Sequence, residues 1–227
     1  MAEQGSADAK YILATKYRNG DGVEIDKLKA AQLYRELADQ GDSDAQYDLA
    51  FMLDSGEGIP QDRVASEQYF KLAADQGDSD ACLCYAGILF EKRQYAEAEG
   101  YFMTAAMKED VKAEYNLGLL YMGDYIGEPD KAKAVEWFES AAEKGFAYAQ
   151  SMLGSIKLDE KDLKKAEEYF RAAADQGEPT AQYNLGALAL SGQIEMEYTE
   201  AIEWLTKAAS NGMEAAYQVL MQLNAQQ

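Results

Sequence analysis

Residues 38–45 read ADQGDSDA, residues 74–81 repeat them letter for letter, and residues 174–181 give the variant ADQGEPTA. Identical stretches 36 positions apart point to an internal repeat, and a repeat must be recognised before any single helix is read. Aligning the alanine that follows each stretch divides the chain into repeats at 9–44, 45–80, 81–112, 113–148, 149–180 and 181–215, with 216–227 as a C-terminal capping helix.

The first half of each repeat follows A-x-Y-x-L-G/A, as in AKYILA, AQYDLA, AEYNLG, AQSMLG and AQYNLG, with ACLCYA the loosest instance. The second half follows A-x-x-Y/W-F/Y-x-x-A-A, as in ASEQYFKLAA, AVEWFESAA and AEEYFRAAA. Apolar residues at spacings of three and four place one stripe on each of two helices. Alanine and glycine at fixed places mark a close helix approach, with Tyr34, Phe70, Phe102, Phe138, Phe170 and Leu205 filling the notches from the second helices. Neither helix of a pair can bury its stripe alone, so the pairs must stack. Length varies only between the two helices of a pair, where RNGDGVEID and DSGEGIPQD contrast with the shorter FEKRQ and LDEKD. The expected fold is all-α: one solenoid of about six helix-turn-helix repeats.

Within that frame the opening stretch is a joint. Gly41, Gly77 and Gly177 suit the left-handed residue that ends a helix, and Asp42, Asp78 and Glu178 suit the N-cap of the next. Pro179 fits the first helical position, while Asp44 and Asp80 place negative charge in a first turn, where the helix dipole favours it. The opening AEQGSADA has the same form, so the chain is expected to begin on the tail of a second helix whose first part is missing.

Composition excludes several functions. Net charge is −20, which repels nucleic-acid phosphates and anionic membranes; it suits a basic partner, though a solvated acidic face is the commoner reason for so much charge. The imbalance is uneven: residues 1–36 are neutral, whereas residues 172–227 carry only Lys207 against seven acids. No apolar run is long enough to span a bilayer. With no histidine there is no Ser-His or Cys-His pair, and no phosphate-binding loop or G-x-S-x-G elbow occurs. The loop NGDGVEID (19–26) lacks the ligand spacing of a calcium site. Cys82 and Cys84, two apart on a helix, face different sides, which argues against a disulfide. Neither a cofactor nor a metal is expected, and the chain is not expected to be an enzyme.

AQYNLGALALSGQ, YRNGDGVEIDKLKAAQLY and AVEWFESAAEKG resemble the Sel-one-like repeat (SLR), a relative of the tetratricopeptide repeat, over essentially residues 2–227. The resemblance implies a right-handed α/α superhelical solenoid, a scaffold or adaptor that presents a concave groove to a protein or peptide. Tyr11, Tyr47, Tyr115 and Tyr183 share one register, two residues past the first alanine, and the resemblance places that register on the groove. It also gives Asn116 and Asn184, one residue further, the task of bonding a peptide backbone; Ile12, Asp48, Cys84 and Met152 interrupt that row. Phe51, Met122, Leu158 and Leu190 are apolar groove candidates one turn later. The tyrosines read equally well as half-buried spacers between neighbouring first helices. Protein–protein interaction is thus the expected function, with a bacterial envelope assembly protein as the alternative and a hydrolase as the weaker one. The expected compartment is the cytoplasm, or the periplasm if a signal peptide precedes this sequence.

Overall fold

The computed structural model describes residues 2–225, with side chains from residue 7 onward, so the last two residues of the expected capping helix lie outside the described residues. Among the described residues the secondary structure is helical throughout. The first helices of the pairs are α1 (Ala2–Asn19), α3 (Ser43–Ser55), α5 (Ser79–Glu91), α7 (Val111–Met122), α9 (Ala147–Asp159) and α11 (Pro179–Leu190). The second helices are α2 (Lys27–Ala38), α4 (Arg63–Asp75), α6 (Tyr95–Ala106), α8 (Lys131–Glu143), α10 (Leu163–Asp175) and α12 (Tyr198–Ser210), and α13 (Glu214–Ala225) follows. Two compact units, Met1–Ala113 and Glu114–Gln227, each stack such pairs around a core of their own.

The notches and their fillers are where the sequence puts them. Tyr34, Phe70, Phe102, Phe138, Phe170 and Leu205 are all buried. A Cβ built on Gly154 would lie 2.6 Å from Cδ1 of Phe170, and one on Gly186 would lie 2.6 Å from Cγ of Leu205. A Cβ on Gly118 would overlap the Phe138 ring in the same way. In the N-terminal unit Ala14, Ala50 and Ala86, all fully buried, take this place.

The joints end and restart helices by backbone hydrogen bonding. Gly41, Gly77 and Gly177 have φ of 93°, 83° and 89°. At the first, the Gly41 amide donates to the Ala38 carbonyl at 3.0 Å and the Asp42 amide to the Leu37 carbonyl at 3.1 Å. That double closure satisfies the orphan carbonyls of the helix end. Asp42, Asp78 and Glu178 then accept the amides of Ala45, Ala81 and Ala181. Arg93, Glu109 and Lys161 adopt φ of 60° to 65° without being glycine, and all three lie in turns that lack one. The opening AEQGSADA does not behave as a joint: residues 2–19 form the single helix α1.

A side-chain ladder ties each joint to the next. Gln46, Gln150 and Gln182, the second residues of their repeats, donate Nε2 to the carbonyls of Ala38, Ala142 and Ala174 at 3.1, 3.3 and 3.2 Å. Their Oε1 atoms accept from Gln76, Gln176 and Asn211 of the following joint at 2.8, 2.8 and 3.1 Å. The glutamine in ADQG is therefore a tie between consecutive repeats. In the fourth repeat both partners change together: Glu114 replaces the first glutamine and Lys144 the second, with Nζ donating to Glu114 Oε1 at 2.6 Å. Ser140 donates to that same oxygen at 2.8 Å, while Oε2 is buried without a partner.

Two outcomes follow from this packing. Gly154→Leu drives a side chain into the Phe170 ring and is expected to lower stability by about 1–3 kcal/mol in urea unfolding. Lys144→Gln, which leaves a buried carboxylate without its cation, should cost about 1–3 kcal/mol, with the partial exposure of the lysine keeping the loss below that of a fully buried pair. Glu114→Gln combined with Lys144→Gln recreates the Gln46–Gln76 arrangement and should recover most of it. A double variant no more stable than Lys144→Gln alone would refute the pairing.

Candidate functional site

In each repeat that has one, the register tyrosine rests on the filler beneath it. The Tyr11 ring meets Tyr34 edge-on at 5.5 Å between centroids, Tyr47 meets Phe70 at 5.8 Å, and Tyr115 meets Phe138 at 5.7 Å. Tyr183 packs against the cluster of Leu205, Ala208 and Ala216. All four are half-buried, with one side on the core and the other toward solvent. Spacer and contact surface are therefore two sides of the same ring.

Tyr11 and Tyr47 belong to the N-terminal unit, and Tyr115, Asn116, Tyr183 and Asn184 to the C-terminal one. Asn116 and Asn184 are half-buried in α7 and α11. Within the N-terminal unit, Tyr11 is bound to the residue after Tyr47, donating its hydroxyl to Asp48 Oδ2 at 2.6 Å. Burial, then the hydrogen bond to the Asp48 carboxylate, pushes the Tyr11 phenol far above its ordinary range, so it stays a donor. Burial, with Cys84 and Asp80 nearby, pushes Tyr47 up to about 12.

The same aspartate anchors Arg18, whose guanidinium reaches Asp48 Oδ1 and Glu57 Oε2 at 2.9 Å each. Lys27 meets Glu57 at 3.1 Å. Burial works against the Arg18 charge, but the hydrogen bond to Glu57 and the two carboxylates outweigh it and hold the guanidinium protonated. Glu57 is held below the usual carboxylate range, first by its bond to Arg18. This network joins α1, α2, α3 and the loop after α3, and the sequence did not announce it, because its members lie 30 and 39 positions apart.

In the C-terminal unit Tyr115 heads a cluster the sequence reading missed. Its ring centroid lies 5.4 Å from Phe146 and 6.2 Å from Tyr148, and Tyr148 is 55% exposed. The available signal was the joint AEKGFAYA, which carries aromatics where ADQGDSDA carries aspartates. Of the later groove candidates, Phe51 is 43% exposed, whereas Met122, Leu158 and Leu190 are half-buried against core clusters. Ile12, in the asparagine register, is 55% exposed.

Asp26 of the NGDGVEID loop accepts the Lys29 amide at 2.9 Å as the N-cap of α2. Among the described residues no group of three or more His, Cys, Asp or Glu is placed to hold a metal ion. Among them, too, no helix is long and apolar enough to cross a membrane.

No curated protein matches the chain. Among solved structures, it is similar to the protective antigen c5321 of uropathogenic Escherichia coli, described as having an SLR fold, at 34% identity and a TM-score of 0.86. That match covers 95% of this chain and 48% of the other, so the chain spans about half the length of this relative. A Sel1 repeat protein from Oxalobacter formigenes is 27% identical with a TM-score of 0.82, covering 89% of this chain and 84% of that one. The family model described as "Sel1 repeat" matches residues 7–42, 43–78, 111–146, 147–178 and 179–213, and with most of its length so matched the chain belongs to the Sel1 repeat family.

Proposed function

We propose that the chain is a scaffold or adaptor that binds a peptide or protein segment on its first-helix faces, with Tyr11, Tyr47, Tyr115, Asn116, Tyr183 and Asn184 making the contacts. Sel1 repeat proteins are in general protein-interaction scaffolds rather than enzymes. One observation supports the finer reading most strongly: every register tyrosine is half exposed while its inner side is fixed on the core. A ring held this way offers broad amphipathic contact area with little rotamer freedom left to lose on binding. An asparagine side chain, found one residue on at Asn116 and Asn184, carries the donor and acceptor types that an extended backbone pairs with. Net charge of −20 favours a basic partner, which it would attract at low salt.

A second reading, an extracytoplasmic assembly protein rather than a cytoplasmic adaptor, is favoured by the 34% identity to a protein described as a protective antigen. Fractionation of the source cells separates the two by where the chain is recovered.

The test of the binding surface uses peptides selected from a random library on the immobilised chain. Tyr115→Ala combined with Tyr183→Ala should weaken their binding by about tenfold or more, equivalent to about 1.4 kcal/mol, while helical circular dichroism stays unchanged. Undiminished affinity in a folded double variant, or a selection that enriches nothing, overturns the reading.

A further inference from the structure

One glycine of the N-terminal unit is there neither for packing nor for backbone conformation. Gly87 lies within α5 and lacks the left-handed φ of the joint glycines. A Cβ built on it meets nothing within 4 Å, unlike one on Gly118, Gly154 or Gly186. The aligned residue elsewhere is Thr15, Phe51, Leu119, Ser155 or Ala187. Glycine inside a helix costs about 1 kcal/mol relative to alanine. Gly100 of α6 is equally uncrowded but stands fully on the surface, whereas Gly87 is half-buried.

What Gly87 provides is room. It forms part of the wall of a cleft of about 550 Å³ between α3, α4 and α5. Phe51, 43% exposed, and the half-buried Ile88 make its apolar sides. Asp54 and Glu91 stand exposed on its rim. Glu67 and Lys92 neutralise each other, with both carboxylate oxygens on the ammonium. Counting Arg63, the lining holds three carboxylates against two cations, a surplus of one negative charge in a chain of net −20. Phe51 already accommodates a guanidinium: the central carbon of Arg18 lies 5.3 Å from its ring centroid.

We propose that this cleft receives an arginine side chain of a bound peptide. The methylene stem passes over Gly87 between Phe51 and Ile88, and the guanidinium reaches the carboxylates of Asp54 and Glu91. An apolar slot with an acidic rim suits a long side chain that is apolar along its stem and cationic at its head. A planar fork of donors matches carboxylates better than a point ammonium does, which selects arginine over lysine. The inference rests on the reading of the first-helix faces as a peptide surface and names one residue that such a peptide carries.

The experiment is an amide NMR titration of the whole chain with the peptide acetyl-Gly-Ala-Arg-Ala-Gly-amide and with its citrulline counterpart, which keeps the shape and removes the charge. The arginine peptide should shift the amides of Phe51, Gly87 and Ile88, and the citrulline peptide should bind about tenfold or more weakly. Gly87→Leu fills the slot and should abolish the shifts at the other two positions. Leucine is the better helix former, so this variant should melt at or above the wild-type temperature. Should Gly87→Leu misfold, Asp54→Asn with Glu91→Gln changes only exposed rim groups and should weaken the arginine peptide alone. Equal binding of both peptides, or shifts that survive in a folded Gly87→Leu variant, overturns the proposal. Library-selected peptides that depend on Tyr115 and Tyr183 but ignore Gly87→Leu would overturn this inference and leave the peptide surface standing. Arginine-peptide shifts at Gly87 alongside library peptides indifferent to the tyrosines would do the reverse.

Discussion

The close approach of a first helix to the second helix of its own pair is the contact on which the rest of the fold depends. It exists because one position in each first helix carries a glycine or an alanine, and because a buried ring, or Leu205, occupies the space so released. Burying such a side chain contributes about 1.5–3 kcal/mol, and the contribution recurs at every repeat. The same contact sets the position of the surface residues. A tyrosine three residues before the notch lies over the filler, so Tyr11, Tyr47 and Tyr115 rest on Tyr34, Phe70 and Phe138. Core packing thereby aims the exposed rings.

A stack of helix pairs also needs each pair held in register with the next, which the apolar contact alone does loosely. The joints supply that constraint through polar groups. Each of Gln46, Gln150 and Gln182 reaches back to a carbonyl of the preceding second helix and forward to the next joint, so three consecutive elements share one side chain. The Glu114–Lys144 pair shows that this place tolerates a change of chemistry when both partners change. Cys82, in the same place in the third repeat, keeps only the backward contact in weakened form, its thiol 3.4 Å from the Ala74 carbonyl. There the tie between joints is made instead by Lys108, which donates to the Gly77 carbonyl.

The features legible in the sequence are those set by short spacings. Repeat periodicity exposed the helix pairs, the fillers and the glycine–aspartate joints, because a helix end, a cap and a first turn lie within a few residues of one another. Three kinds of feature were not legible. The Arg18–Asp48–Glu57 network joins residues of different repeats, and nothing in local spacing says which charges will meet. The opening AEQGSADA has the letters of a joint, yet residues 2–19 run as one helix, a difference that the letters alone do not show. Met122, Leu158 and Leu190 rest partly on the core clusters beside them, a contact that spacing alone does not show. Of the candidate surface, the register of the tyrosines was legible, while their anchoring and the added rings of Phe146 and Tyr148 required coordinates.

A repeat scaffold faces a conflict between stacking and recognition, since residues that satisfy a neighbour are not free for a partner. On the binding surface proposed above, the work is divided within side chains. Tyr11 gives its hydroxyl to Asp48 and one ring edge to Tyr34, and keeps the remaining surface for solvent. Arg18 spends its donors on two carboxylates and still lies beside exposed Phe51. A surface built this way is stiff before anything binds, so less ordering entropy opposes association than on a loop-built site. In the proposed binding surface the repeated residues present much the same contact in each repeat and so would confer little specificity. Positions where the repeats differ would carry it, such as Gly87 against Phe51, or Phe146 and Tyr148 against the aspartates of the other joints.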